Sequence, residues 1–323
     1  MIVITGGAGF IGYNLVKRLI ELGYRDIVVV DDNIGRLVSK GYQDIKYLSV
    51  EDSFLWLSFQ APSIDFVFHL GAITDTTETD KDKMFYYNLN YSKFIWTFCT
   101  EEKIPLIYAS SAAVYGNGDF GFSDVGLFVD EWDYFPMNLY GETKFWFDDW
   151  VVEEVIDGKK TPPFWAGLRF FNVYGQHEGH KGNMASVVFQ FYNQIKETGE
   201  AKLFKSHVID CGDGNQERDF IYVDDVIDIC LHLMNEKPPS DIYNVGTGKY
   251  RSYNDLARAV FKYLGKEEKI SYIDIPTNIR DRYQYFTRAE ISKLRTVGKY
   301  KKGFHELEEG IAKYIKLLEN ENC

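Results

Sequence analysis

The first twenty-two residues constrain this chain more than any other stretch. Met1–Thr5 is a short β-forming run, and Gly6–Gly12 is a glycine-dense turn. Tyr13–Leu22 then carries Leu15, Leu19 and Leu22, with Val16 and Ile20 beside them, at helical spacing. Gly6, Gly7, Gly9 and Gly12 satisfy both the G-x-x-G-x-x-G and the G-x-G-x-x-G spacing. Glycines so placed let a pyrophosphate reach backbone amides at a helix N-terminus, where any side chain would stand in the way. Such spacing alone is a weak signal, but a strand before it and a helix after it supply the context it needs. Gly6, Gly9 and Gly12, with the amides of Phe10 and Ile11, are therefore expected to cradle a dinucleotide pyrophosphate.

The stretch that follows extends the pattern. Asp26–Val30 reads as a second buried strand, and Asp31 closes it 19 residues after Gly12, where a carboxylate grips ribose hydroxyls. Asp32 adds a second charge that repels a 2′-phosphate, while Arg36 and Lys40 could offset it, so the residues leave NAD and NADP open. Asp65–Leu70 and Leu106–Ala109 are further apolar strands, separated by helical stretches such as Phe85–Glu102. Leu70, Gly71, Ala72 and Thr74 are expected to line the adenine–ribose side, with Asn88 supporting that loop. Strands alternating with helices predict an α/β fold, a Rossmann-type doubly wound parallel sheet.

Past about residue 175 the alternation loosens. Gly179–Asn183 reads as a polar loop, Met184–Ile195 as a helix, residues 205–217 as a turn or short hairpin, Asp224–Met234 as a helix, Ile242–Val245 as a strand and Tyr253–Leu264 as a helix. The expected division is a dinucleotide-binding domain over 1–170 and a smaller C-terminal α/β substrate domain over 171–323, partly interleaved with the first. A chain of 323 residues is long enough for both.

Composition narrows the partners. The net charge of −12 repels nucleic-acid backbones, so no nucleic-acid partner is expected. Cys99, Cys211, Cys230 and Cys323 show neither a CxxC pair nor a histidine at ligand spacing, which predicts free thiols and no metal. Residues 1–12 lack the basic leader of a signal peptide, and no apolar run approaches the roughly 18 residues a membrane span needs. A soluble cytoplasmic protein without a membrane partner is the expectation.

Tyr140-Gly-Glu-Thr-Lys144 sets a phenol and an amine four residues apart, on one face of a helix. An ammonium beside the phenol stabilises phenolate, lowering the pKa of Tyr140 toward a usable acid/base, and can also hold a nicotinamide ribose. Ala109-Ser-Ser-Ala-Ala-Val-Tyr-Gly116 puts Ser110 and Ser111 just past an apolar strand, at the edge where ligands bind, so Ser111 can bond a substrate hydroxyl beside Tyr140. Glycine turn, serine strand end and Tyr/Lys pair, in this order, resemble the extended short-chain dehydrogenases/reductases.

Further segments resemble a narrower group. Arg169-Phe-Phe-Asn-Val-Tyr-Gly175 resembles the segment that touches nicotinamide and sugar nucleotide in those enzymes, which implies Val173 for the cofactor and Asn172 for the substrate. Arg218-Asp-Phe-Ile-Tyr-Val-Asp-Asp225 resembles their phosphate-contacting segment. It makes Arg218 a bidentate candidate for a diphosphate, against an ion pair with Asp219 or Asp224. Glu178-Gly-His-Lys-Gly-Asn-Met-Ala-Ser186 is similar to the Glu-Gly-His-Lys-Gly-Ser-Met-Ala-Ser segment of the ADP-L-glycero-D-manno-heptose 6-epimerases, and Arg282-Tyr-Gln-Tyr-Phe-Thr287 is similar to their C-terminal segment. The resemblance runs from Met1 to about Leu318. It implies an isomerase of lipopolysaccharide inner-core heptose biosynthesis that acts on ADP-heptose at C6, with NADP as cofactor, in a homo-oligomer that is a pentamer. Three features depart from that pattern: a longer Lys205–Glu217 stretch, Gln190 in place of a histidine, and Asp32 in place of an asparagine.

Inversion of an unactivated alcohol carbon requires removing a hydride and returning it to the other face of a planar carbonyl, so the cofactor stays bound and ends unchanged. The two epimers place their hydroxyl differently, which calls for two proton-handling groups. Tyr140 is one. The resemblance assigns the other to Lys181, a role that burial supports by drawing a lysine's pKa down. Asn172, Asn183, Gln190, Phe204, Arg218 and Tyr283, together with Ser111 and Lys181, make up the expected substrate contacts. A UDP-hexose 4-epimerase, a dehydratase and a non-catalytic dinucleotide-binding sensor are the competing readings. Ala112 and Ala113 after Ser111 argue against the dehydratase, and the presence of both Tyr140 and Lys144 argues against the sensor.

Overall fold

The computed structural model describes residues 1–39, 41–42, 45–124, 134–280 and 283–321; Lys40, Arg282 and Cys323 lie outside them. In chain order the strands are β1 (Ile2–Thr5), β2 (Ile27–Val30), β3 (Lys46–Leu48), β4 (Phe66–His69), β5 (Leu106–Ser111), β6 (Trp165–Phe170), β7 (Asn172–Tyr174), β8 (Ala201–Phe204), β9 (Glu217–Arg218), β10 (Phe220–Tyr222), β11 (Asp241–Val245), β12 (Arg251–Ser252) and β13 (Ile270–Ile273). Seven form one parallel sheet in the order β11-β6-β5-β4-β1-β2-β3. The β1, β2 and β4 strands are buried at every position, which is why they read as unbroken apolar runs rather than as alternation.

Alternate side chains face opposite layers. Ile2 and Ile4 pack with Leu15 and Leu19 of the helix Phe10–Glu21 and with Val226, Ile229 and Leu233 of the helix Val223–Glu236. Val3 packs the other way, with Leu57, Ile95, Trp96 and Phe147 from the helices Val50–Gln60, Tyr91–Glu101 and Leu139–Ile156. A further core gathers Phe191, Ile195, Leu203, Phe220, Leu256, Phe261, Ile311 and Tyr314 around the short sheets β10-β7 and β13-β8. The β11 strand leaves that region to pair with β6 at the edge of the main sheet, Ile242 opposite Gly167.

The chain runs outward from β1 through β2 to β3, then returns to lay β4 on the other side of β1. The loops after β1 and β4 therefore diverge and leave a crevice at the carboxyl edge, the place where open α/β sheets take ligands. Two expected elements differ in detail. The first helix begins at Phe10, directly behind the glycine turn. The helix expected over Phe85–Glu102 opens with a π turn, Phe85–Asn90, before the α-helix Tyr91–Glu101. Among the described residues no helix is long and apolar enough to cross a membrane.

Candidate active site

The crevice is a cleft of about 830 Å³ running from the glycine turn to the segment Lys181–Val187. Gly6 takes a positive φ of 68°, and a Cβ there would sit 2.6 Å from the backbone of Gly71. A Cβ on Gly12 would collide with the carbonyl oxygen of Gly6. Both glycines are thus demanded by close backbone approach. The helix that follows has no side-chain cap at Gly9, so its first amides remain available to an anion. Asp31 stands beyond the turn, its carboxylate accepting from the Ala8 and Asn33 amides, each at 3.0 Å. Burial pushes Asp31 up, and the two amides oppose it. This floor fits a dinucleotide: amides for the pyrophosphate and a carboxylate for a ribose.

The neighbouring loop is fixed from below. His69, at the end of β4, is wholly buried between Thr5 Oγ1 (2.7 Å from Nδ1) and Ser92 Oγ (2.8 Å from Nε2). Ser92 already donates to the Asn88 carbonyl, so it accepts from Nε2–H, and Nδ1 accepts from Thr5. Thr5 in turn accepts from the Gly71 amide at 3.1 Å. Burial holds His69 neutral, its pKa drawn down to about 3, with the Lys144 charge adding to the effect. Asn88 is buried behind the cleft rather than in its lining; it accepts from the Ile73 amide at 2.8 Å and donates to the Ile73 carbonyl at 2.9 Å.

Tyr140 and Lys144 enter from the helix Leu139–Ile156, whose first turn is capped by Asn138 accepting from the Gly141 amide. Ser111 lies beside Tyr140 and favours its phenolate. Lys144 is wholly buried and donates to the Ala109 carbonyl at 2.9 Å. The expected lowering of the phenol by this ammonium is corrected here. Burial pushes Tyr140 up, Ser111 opposes, and Lys144 is spent on Ala109.

Lys181 lines the same cleft from a different element, its amine 5.6 Å from the centre of the Phe10 ring. The segment expected as a loop is a 3-10 turn, Gly179–Met184, broken at Gly182 by a φ of 54°. Buried Glu178 closes it: its carboxylate accepts from the Ser186 amide at 2.5 Å, the Ser186 hydroxyl at 2.6 Å and the Gly175 amide at 3.3 Å. Burial lowers the pKa of Lys181, and the nearby Glu178 charge works against it.

The structure therefore brings together in one cleft Gly6, Gly9, Phe10, Ile11, Gly12, Asp31, Asp32, Leu70, Gly71, Ala72, Thr74, Ser111, Tyr140, Lys144, Asn172, Val173 and Lys181. It sets five expected substrate contacts outside that lining. Asn183 is exposed, and Gln190 donates to the Gly182 carbonyl at 3.2 Å. Phe204, Arg218 and Tyr283 form their own group, with Tyr283 5.7 Å from Phe204 and 5.6 Å from the Arg218 guanidinium. Arg218 donates to the carbonyls of Glu217 and Gln284, and neither expected ion pair forms, because Asp219 serves Thr247, Gly248 and Ala289 while Asp224 faces Gln176 and Arg18. Tyr253, in the cleft wall and 5.7 Å from Arg218, joins this group to the main cleft. Sequence reasoning missed Tyr253, Phe220, Val50 and Tyr87. Tyr87 lies in a stretch that reads as ordinary helix, and the others are apolar-rich positions indistinguishable from core.

A dinucleotide floor with Tyr140, Lys144 and Lys181 lining the same cleft is that of a Rossmann-type nicotinamide-dependent enzyme of sugar nucleotides. A sequence model of the NAD dependent epimerase/dehydratase family matches residues 2–246. ADP-L-glycero-D-manno-heptose-6-epimerase of Fusobacterium nucleatum is 44% identical over 98% of this chain and 97% of its own length, and that of Nitratidesulfovibrio vulgaris is 41% identical over 98% and 97%. The crystal structure of the Helicobacter pylori enzyme of the same name superposes with a TM-score of 0.80 at 29% identity, covering 98% of this chain and 96% of that one. UDP-glucose 4-epimerase of Thermus thermophilus, solved with NAD, shares the fold at a TM-score of 0.78 and 23% identity, covering 98% and 97%. The chain belongs to the ADP-L-glycero-D-manno-heptose-6-epimerases within the NAD dependent epimerase/dehydratase family. It is an isomerase that uses a nicotinamide dinucleotide, and the competing readings as UDP-hexose epimerase, dehydratase or sensor are not favoured.

Proposed function

We propose that the chain interconverts ADP-D-glycero-D-manno-heptose and ADP-L-glycero-D-manno-heptose at C6, supplying heptose for the lipopolysaccharide inner core. The observation that carries this is the placement of Tyr140 and Lys181 in one cleft, on walls built by different elements. A dinucleotide held by the glycine turn and Asp31 would supply the chemistry of removing a hydride from C6 and returning it. Tyr140 takes the hydroxyl proton from one epimer and Lys181 gives a proton to the oxygen as the other epimer forms; in the reverse direction Lys181 takes the proton and Tyr140 gives one. Ser111 positions the hydroxyl beside Tyr140. Asn172 lies where it can bond the sugar, and the Phe204–Arg218–Tyr283 group, reached through Tyr253, is assigned to the nucleotide end. Lys144 holds the nicotinamide ribose once it leaves Ala109.

The resemblance implies NADP. The ribose end of the cleft favours NAD instead: Asp31 and Asp32 both line it, and Asp32 is held in place by the Val50 amide at 2.9 Å. Two adjacent carboxylates repel a 2′-phosphate unless a cation offsets them. We also expect a homo-oligomer working in the cytoplasm. The deciding experiment is mass spectrometry of the dinucleotide released from purified protein, followed by NMR of ADP-heptose incubated with it. Conversion of UDP-galactose in place of ADP-heptose would sink the substrate assignment.

A further inference from the structure

Asp148 lies wholly inside the protein, four residues beyond Lys144 on the helix Leu139–Ile156, where i and i+4 stack on one face. Its Oδ2 accepts from Ser110 Oγ at 2.7 Å and from Arg169 Nε at 2.9 Å. Its Oδ1 has no hydrogen-bond partner among the described residues. A bare carboxylate oxygen in a dry interior is costly and persists where nearby charge compensates it. Arg169 supplies such charge directly, and Lys144, which too is wholly buried, interacts electrostatically with Asp148. Among the described residues, those that interact with Lys144 or flank it on its helix are the Ala109 carbonyl from β5, neutral His69 from β4, Tyr140 one turn earlier and Asp148 one turn later. Of these only Asp148 carries a negative charge.

We propose that Asp148 is a positioning residue that keeps the Lys144 ammonium charged and aimed at the floor of the cofactor cleft, with Ser110 and Arg169 fixing the carboxylate. The proposal rests on the role given above to Lys144. Burial draws Lys144 down to about 8 even with Asp148 opposing it, so removing that carboxylate takes the amine further down.

The test compares Asp148→Asn with the parent enzyme in two measurements from about pH 6 to about pH 9: NADH affinity by tryptophan quenching, and epimerisation rate. The expected result is an alkaline fall in both that begins about one pH unit lower, or more, in the variant. An alkaline fall at the parent position in folded Asp148→Asn overturns the proposal. Because that variant breaks the buried ion pair with Arg169, the pair Asp148→Leu with Arg169→Met serves as the second test; it removes both members of that pair at similar volume and is expected to show the same shift. Asp148→Glu is expected to return the profile toward the parent. Lys144→Met separates the two levels. If it keeps full activity and affinity, the role of Lys144 fails; if it loses them while the Asp148 variants keep the parent profile, only the Asp148 proposal fails.

Discussion

Replacing Lys181 by Met tests the two-base mechanism most directly. The methionine keeps an unbranched stem and removes the amine that stands 5.6 Å from the centre of the Phe10 ring. The turn that carries residue 181 is closed by the Glu178 carboxylate and by the Lys181 amide donating to the Glu178 carbonyl at 2.9 Å, neither of which involves the amine. Folding and cofactor retention should therefore survive. A positioned acid/base contributes roughly 10²–10⁴ in rate, or about 3 to 5 kcal/mol of barrier, and a loss of that size in epimerisation is expected. Overall equilibrium cannot change, so both directions fall together, but the half-reactions differ. In single-turnover mixing, reduced-nicotinamide absorbance should still rise from the epimer whose hydroxyl faces Tyr140 and should fail to rise from the other. An overall rate within about threefold of the parent, or equal oxidation of both epimers, would refute a base at residue 181.

Tyr140→Phe should show the mirror-image asymmetry with the dinucleotide still bound, and full activity in that variant would end the tyrosine's role. Activity should decline at alkaline pH as Lys144 loses its proton near 8, and a profile flat through that range would contradict the charged form invoked here. Because His69 is held near 3 against an ordinary value of 6.5, its contribution to stability is complete above about pH 6.5 and is lost as pH falls toward 3. By pH 5 the loss amounts to about 2 kcal/mol, measurable by urea unfolding. His69→Gln should remove that pH dependence, and an unaltered slope would show the assignment to be mistaken. Gly12→Ala should yield folded protein purified without dinucleotide, since the new methyl meets the Gly6 carbonyl; normal cofactor content would show that the turn gives way.

Local pattern was enough to place the parts that depend on neighbours along the chain. The glycine turn, Asp31 at a strand end and the Tyr140–Lys144 pair are set by spacing, because close backbone approach and helical periodicity act over a few residues. The π turn at Phe85–Asn90 escaped that reading, since an inserted residue leaves apolar spacing nearly unchanged. What no local pattern reveals is which distant groups meet. Lys181 and Tyr140 are 41 residues apart in sequence, and only the packing of the helix Leu139–Ile156 and the turn Gly179–Met184 around one cleft brings them together. The direction of the Tyr140 pKa also belongs to the folded molecule, because burial and the Ala109 carbonyl, rather than the spacing to Lys144, decide where the charges go. Asp148 shows the same limit: as a letter in a helix it is an ordinary acid, and its meaning comes from the water that packing has removed around it.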